Sequence, residues 1–153
     1  ISQKKTPSSL IFSRQNLKFN HRSHEQLDHI AKGGYILVDG GAKPDFAIIA
    51  TGSEVELAVN VASKLAEQGK KVRVISMPST NVFDRQDVAY KTEVLGGAKR
   101  MVAIEAGVAE TWYKYVGLDG VIISMDQFGE SAPAGQLFEE FGFSVDAILA
   151  KLA

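Results

Sequence analysis

Five short runs of apolar and mostly β-branched residues recur along the chain, and turns or helix-like segments separate them. The runs cover residues 35–38, 46–50, 72–76, 101–104 and 121–124. The run at 46–50 is apolar throughout, which is typical of a strand buried on both faces of a parallel sheet. Strands that alternate with helices predict a three-layer α/β/α domain with a mostly parallel, five-stranded sheet.

The connection between the first two runs is too short for parallel pairing. Only the seven residues 39–45 join them, whereas a crossover between parallel neighbours takes about a dozen residues or more. We therefore expect residues 35–38 to form the one antiparallel strand of the sheet.

The clearest helix pattern follows the second run, between residues 53 and 68. Apolar residues recur there at spacings of three and four, which places them on one helix face. Ser53, with Glu56 three residues later, predicts a capping box, and Gly69 predicts the helix end. Further helices are expected near residues 85–94, 110–115, 134–141 and 145–152, with Ser131 and Ser144 as N-caps of the last two.

Residues 1–33 differ in pattern from the rest of the chain. Leu10-Ile11-Phe12 has strand character, and a polar stretch with a short helical turn near 25–31 follows it, up to Gly33-Gly34. We expect a boundary there, with one folded domain over 34–153. The first residue is Ile1 rather than Met, which we interpret as the start of a fragment or of a processed chain.

Composition argues against several function classes. Lys plus Arg is 17 and Asp plus Glu is 18, so no broad positive field favours nucleic acid. The chain has no cysteine, which excludes disulfides and thiolate metal sites and fits a reducing compartment. No apolar run approaches the ~18 residues of a membrane span.

Candidate chemistry lies where the predicted parallel strands end, because ligands of α/β sheets bind beyond that edge. Thr51-Gly52-Ser53, at a helix N-terminus, is a candidate for phosphate binding. Glu54 and Glu56 in the first turn would repel an anion, so a capped structural helix is the favoured interpretation. Glu105 is either an acid or base with a shifted pKa or an acceptor for helix N–H groups, and we favour the structural role.

Two further clusters of side chains carry weaker functional interpretations. The polar stretch contains three histidines, His21, His24 and His29. They lack the additional ligands of a metal site, so we expect them to be solvated. An aromatic patch is formed by Trp112, Tyr113 and Tyr115. Such a patch is typical of either a core or an interface.

Arg14 directly follows the predicted strand at 10–12. An arginine at the end of a strand is well placed to bind a phosphate through two parallel hydrogen bonds. Composition by itself favours a surface salt bridge for this residue.

The stretch Ser13-Arg14-Gln15-Asn16-Leu17 resembles the end of the pyrimidine-binding domain of transketolase. Further stretches resemble the same family in order along nearly the whole chain. They cover residues 32–35, 50–55, 74–79, 83–86, 105–107, 112–115, 128–133 and 138–143. No single stretch is decisive, and their joint order and spacing carry the resemblance.

The resemblance implies a three-domain parent that uses thiamine diphosphate with a divalent metal, Mg or Ca. Such a parent transfers a two-carbon ketol unit from a ketose phosphate to an aldose phosphate in the pentose phosphate pathway, as a cytoplasmic homodimer. Residues 1–33 are then expected to be the end of the pyrimidine-binding domain with a linker, and 34–153 the C-terminal domain.

The resemblance also implies that Arg14 binds the phosphate end of the sugar substrates. It transfers no catalytic, cofactor or metal residue to this chain, and the family's diphosphate-metal motif, Gly-Asp-Gly with a downstream Asn, does not occur in the sequence. The C-terminal domain of the family supplies scaffold and dimer contacts, so we expect the chain alone to be inactive and to hold no cofactor.

Two alternatives to this assignment stay open. The first is a domain of dihydroxyacetone synthase, a close relative of transketolase. The second is a freestanding regulatory module that holds a small anion at the strand ends, although the chain has no glycine-rich phosphate loop.

Overall fold

One mixed five-stranded sheet organises the chain. The computed structural model describes Lys5, Pro7 and residues 9–153. The strands are β1 (Tyr35–Val38), β2 (Phe46–Ala50), β3 (Val72–Ser76), β4 (Arg100–Ile104) and β5 (Val121–Ile123), and they lie in the order β1-β3-β2-β4-β5. The predicted α/β fold with five strands is confirmed.

The edge strand β1 is antiparallel and the other four strands are parallel, as the short 39–45 connection predicts. Tyr35 pairs with Ser76 of β3 in the antiparallel ladder. In the parallel part, β2 lies between β3 and β4, and its central Ile48 pairs with Val74 on one side and Val102 on the other. The first parallel strand is therefore the centre of the sheet, with later strands added on both sides.

Helices cover both faces of the sheet. They are α1 (His24–Ile30), α2 (Glu54–Glu67), α3 (Thr80–Asp84), α4 (Val88–Leu95), α5 (Tyr113–Val116), α6 (Ala134–Glu140) and α7 (Val145–Leu152), with a 3-10 turn at Ala109–Thr111. Within the described residues, no helix has the length and apolar character that a membrane crossing requires.

The side chains of β2 alternate between two hydrophobic cores, which is the period of a strand. Ile48 and Ala50 pack with buried residues of α2 and α7. Ala47 and Ile49 face the other way and pack with buried residues of α3, α4 and α5. The two cores lie on opposite faces of the sheet, so the three layers predicted from the sequence are present.

Helix α2 begins without the predicted capping box. Ser53 has helical dihedral angles, φ −66° and ψ −28°, and its side chain caps no backbone N–H. An N-cap residue needs an extended backbone to turn its hydroxyl back toward the first turn. The Ser53 hydroxyl donates instead to the Glu54 carboxylate, at 2.7 Å.

The predicted end of α2 at Gly69 is confirmed. Gly69 has a φ of +78°, and its N–H donates to Ala66 O at 2.9 Å while Lys70 N–H donates to Leu65 O at 3.0 Å. This pair of bonds is a Schellman motif, which requires the left-handed conformation that glycine adopts without strain.

Two other local predictions are wrong. Residues 10–12 form no strand, and the Ile11 and Phe12 side chains are 95% and 81% exposed. A strand needs a neighbour for its backbone hydrogen bonds, and the described part of the chain places none beside this segment. Ser131 is not an N-cap, because Pro133 holds that position and its carbonyl accepts from Gln136 N–H at 3.0 Å.

Candidate functional site

The leading segment, residues 9–22, runs across the carboxyl ends of the parallel strands. With the loop after β2 it lines two neighbouring open cavities of about 380 and 430 Å3. The first is lined on the segment side by Ser9, Ile11, Phe12 and Ser13, and the second by Leu17, Lys18, Phe19, Asn20 and Arg22. The edge of the sheet where α/β proteins bind ligands is therefore partly covered by this segment.

Arg14 lies on the segment between these two cavities. The chain bends at Arg14 and Gln15, and the Arg14 side chain is exposed. The ion pairs found in the described part of the chain are Lys64–Glu67, Arg73–Asp39, Lys99–Asp45 and Lys114–Asp84, and none involves Arg14. The structure thus gives no support to the surface salt bridge that composition favours.

The segment is fastened to the domain just after Asn20. Arg22 Nε donates to the hydroxyl of Tyr35 at 2.6 Å, and Arg22 Nη1 donates to Asn20 O at 2.7 Å. Helix α1 follows at once and begins with a capping box between Ser23 and Gln26. The sequence signal for this cap is Ser23 followed three residues later by Gln26, a pattern not among those predicted above.

Two glutamates lie at the strand ends beneath the segment. Glu54, the first residue of α2, is 4% exposed, and Glu105 follows β4 directly. Burial raises the pKa of the Glu105 carboxyl to about 7, and the nearby Glu54 carboxylate adds to the rise. Within the described residues, Glu105 Oε2 is buried and accepts no hydrogen bond.

This geometry bears on both interpretations of Glu105. The raised pKa agrees with the hypothesis that Glu105 is an acid or a base. The structural hypothesis needs helix N–H groups that donate to the carboxylate, and among the described residues Oε2 has no such donor. Glu105 also lines a further cavity of about 400 Å3, and among the described residues no lysine, arginine or histidine lines that cavity. This one cavity offers no cationic side chain to a small anion, so it gives no support to the freestanding anion-binding module.

Of the three histidines, His21 and His24 are exposed as expected, whereas His29 is half-buried. His21 and His29 make edge-on ring contacts with Phe19 and Tyr90, at centroid distances of 5.2 and 5.4 Å. No group of three metal-ligating side chains occurs among the residues that the structure describes. In the aromatic patch, Trp112 is 3% exposed and belongs to the core, whereas Tyr113 is 59% exposed.

The fold and the segment across the carboxyl ends of its parallel strands together define a class of protein. The chain is a three-layer α/β domain with one antiparallel edge strand and a leading segment across its strand ends. A family model described as the transketolase-like TK C-terminal domain matches residues 33–144. The chain belongs to this family.

Relatives and solved structures agree with the assignment. The chain is 59% identical over 150 residues to transketolase 1 of Vibrio parahaemolyticus, covering 97% of this chain and 23% of that protein. It is 56% identical over 152 residues to transketolase 1 of Escherichia coli K12, covering 99% of this chain and 23% of that protein. The chain thus spans less than a quarter of the length of these relatives.

Two solved transketolases show the same fold. The enzyme from Leishmania mexicana superposes with a TM-score of 0.74 at 37% identity, over 82% of this chain and 18% of that one. A Pichia stipitis transketolase in complex with sedoheptulose 7-phosphate superposes with a TM-score of 0.75 at 34% identity, also over 82% and 18%.

Proposed function

We propose that this chain is the C-terminal part of a longer transketolase, which transfers a two-carbon ketol unit from a ketose phosphate to an aldose phosphate in the pentose phosphate pathway. The observation that carries the proposal is the identity of 56–60% to curated transketolases over 97–99% of the chain. The complex of the Pichia stipitis enzyme with sedoheptulose 7-phosphate supports a sugar phosphate as the substrate.

The same proposal divides the chain at Gly33-Gly34. Residues 1–33 are the end of the pyrimidine-binding domain with a linker, and 34–153 are the C-terminal domain. The family model begins at residue 33, which supports this boundary. The C-terminal domain supplies scaffold and dimer contacts in a cytoplasmic homodimer, and the absence of cysteine fits that reducing compartment.

The cofactor of the proposed enzyme is held by other parts of the longer protein. Thiamine diphosphate with its divalent metal would supply the carbanion chemistry of ketol transfer. This chain has no Gly-Asp-Gly motif, and the described residues group no three metal-ligating side chains. The residues of this chain therefore have no assigned part in the chemistry at the cofactor.

Within this enzyme, Arg14 binds the phosphate end of the sugar substrates. Its exposure at a bend over the strand ends leaves the guanidinium accessible to a ligand. A guanidinium matches two phosphate oxygens at once, and each charged hydrogen bond contributes about 1.5–3 kcal/mol. This binding persists unchanged through the reaction of the distant ketol group, so it affects KM more than kcat.

The Arg14→Ala variant of the full-length enzyme tests this role. We expect KM for sedoheptulose 7-phosphate to rise roughly 10- to 100-fold, because one or more charged hydrogen bonds are lost. The KM for hydroxypyruvate, a donor without phosphate, should change much less. Steady-state kinetics with both donors measure the difference.

Lys43→Ala is the matched control for Arg14→Ala, because Lys43 is an exposed cation that lines neither of the two cavities. It should leave the KM values for both donors nearly unchanged. Equal losses for the phosphorylated and the unphosphorylated donor in Arg14→Ala would refute the phosphate assignment.

A further inference from the structure

Strands β2 and β4 are neighbours whose chains leave the sheet toward opposite faces. After β2 the chain enters α2, which packs in the same core as Ile48. After β4 it passes through the 3-10 turn into α5, which packs in the other core with Ile49. In open α/β sheets a crevice lies where neighbouring strands diverge in this way, and ligands bind in it.

The crevice between β2 and β4 begins at Thr51 and Glu105. Ala50 pairs with Ile104 at the end of the parallel ladder, so the next residues of the two strands leave the sheet side by side. Both line the cavity of about 400 Å3, and the loop after β3 and the turn after β4 complete its wall. All of the lining residues lie between positions 51 and 112, so this cavity belongs to the domain at 34–153 and not to the leading segment.

The wall of this cavity combines hydroxyl groups, apolar surface and one carboxyl. Threonines at positions 51, 80 and 111 bring hydroxyl groups, and the buried Met77 and Trp112 bring apolar surface. Among the described residues, Glu105 is the one ionisable side chain in the lining. A few polar groups on an otherwise apolar wall are typical of a small-molecule site, and here their charge is negative.

The Glu105 carboxyl needs a donor that the described residues do not supply. Its Oε2 atom is buried and accepts no hydrogen bond from them. An unpaired buried carboxylate is costly, and a cation that donates a hydrogen bond to it offsets this cost. The nearby Glu54 carboxylate adds to the rise in the pKa of Glu105, so the negative charge of two side chains acts beside the cavity.

Gly107 leaves room beside this carboxyl. A Cβ atom added at Gly107 would lie 3.3 Å from Glu105 Cγ, which is tighter than ordinary van der Waals contact. The Gly107 carbonyl accepts from Met125 N–H at 2.9 Å, which joins the loop after β4 to the loop after β5. The part of the wall that holds Glu105 is therefore fixed on the side of β5.

We propose that the crevice between β2 and β4 binds a small organic ammonium ion that carries hydroxyl groups, with Glu105 as the acceptor for the ammonium. The threonine hydroxyls bond to the hydroxyl groups of the ligand, and Met77 and Trp112 contact its carbon frame. Such an amino alcohol is opposite in charge to the small anion of the freestanding-module alternative. The inference goes beyond ketol transfer and does not depend on that activity.

Serinol and glycerol are a matched pair of probes for this site. They differ at the central carbon, which carries an ammonium in serinol and a hydroxyl in glycerol. In NMR titrations of the 153-residue chain, serinol should shift the amide signals of residues 51–53 and 105–112. The Kd for glycerol should be at least about tenfold higher, because glycerol cannot make the charged hydrogen bond. Equal Kd values, or serinol shifts outside these residues, would overturn the proposal.

Glu105→Gln tests the role of the carboxyl, because the amide keeps the size of the side chain and removes the charge. The Kd for serinol should rise about tenfold or more. Glu110→Gln is the control, since Glu110 is exposed and lies outside the lining, and it should leave the Kd unchanged. Gly107→Ala should also raise the Kd, because the added methyl group crowds Glu105. A Kd that is the same in Glu105→Gln and in the unmodified chain contradicts the proposal.

The pH dependence of binding needs no variant. Glu105 has a pKa of about 7 in the folded chain, so a proton competes with the ammonium below that pH. Between about pH 6 and pH 7.5 the Kd for serinol should fall roughly five- to tenfold, because the ionised fraction of Glu105 rises. The other charged groups on the elements around it are Glu54, Glu110 and Asp126. Glu105→Gln should abolish the pH dependence, and a pH dependence that survives in this variant would assign it to one of them and refute the role of Glu105.

The full-length enzyme distinguishes a free ligand from a side chain of the protein itself. If the crevice takes a free amino alcohol, the full-length enzyme and the 153-residue chain should bind serinol with similar Kd values. Binding by the chain but not by the full-length enzyme would mean that another part of the protein occupies the crevice, and the proposal would fail. Ketol transfer measured on the same samples reports on the proposed function separately, because the binding result does not depend on it.

Discussion

Two charged side chains, one on β3 and one directly after β4, are accommodated in opposite ways. Arg73 of β3 is 5% exposed, and its guanidinium donates to three carbonyls at the end of α4 and to that of Gly41. Among the residues that the structure describes, none donates to Glu105 Oε2, and burial raises the pKa of this carboxyl. A buried charge stays ionised where polar groups replace water, and otherwise it shifts toward the neutral form.

Stability is expected to depend on pH through Glu105. Its pKa in the folded chain is about 7, above the ordinary value of 4.5. Between these values the folded chain binds more protons than the unfolded chain, so the free energy of unfolding falls as pH rises from 4.5 to 7. Glu105→Gln should remove this component, which urea unfolding at pH 5 and pH 8 would measure.

Glu110→Gln is the control for this titration, because Glu110 is an exposed carboxylate in the 3-10 turn shortly after Glu105. It should leave the pH dependence as it is in the unmodified chain. A Glu105→Gln variant whose stability changes with pH as much as that of the unmodified chain would show that Glu105 does not titrate in this window.

Helix starts show how local sequence and backbone conformation combine at the scale of the element. Ser144 has an extended backbone, φ −113° and ψ 157°, and its hydroxyl accepts from Ala147 N–H as the sequence predicts. Asp87 caps α4 in the same way, so this helix begins at Val88 and not near residue 85. Ser53 and Ser131 have the right residue type but no capping bond. Residue type permits a cap, and the path of the preceding loop decides whether one forms.

The same substitution at two serines tests this distinction. Ser144→Ala should destabilise the chain by about 0.5–2 kcal/mol, because α7 loses the acceptor for an orphan N–H. Ser131→Ala should change stability by less than about 0.5 kcal/mol, since Ser131 is exposed and caps nothing. Chemical denaturation of both variants measures the difference, and equal effects would contradict the assignment of the caps.

The molecule as a whole is a domain with two cores and an attached segment. Its sheet, its antiparallel edge and its helix layers follow from the run lengths and connection lengths in the sequence. The segment at 9–22 does not follow from local pattern, because an apolar triplet such as 10–12 becomes a strand only beside a partner. The anchor at Arg22 was also missed, since it joins residues 13 positions apart.

The chain by itself is expected to bind no thiamine diphosphate and to catalyse no ketol transfer. It matches 23% of the length of its relatives and contains no Gly-Asp-Gly motif. Calorimetry with thiamine diphosphate and MgCl2, together with a coupled assay on sedoheptulose 7-phosphate, would measure both properties. The full-length enzyme is the positive control, and turnover by the purified 153-residue chain would refute the expectation.

The sequence by itself determined the class of fold, the antiparallel edge strand and the family, because strand and helix periods and ordered motifs are properties of the linear chain. It also singled out Arg14, whose phosphate role stays a prediction. Only the tertiary structure decided that residues 10–12 are no strand, that Ser53 caps no helix and that Glu105 is half-buried beside Glu54. These features depend on which residues far apart in the sequence come into contact. Neither the local spacing of residues nor the composition determines those contacts.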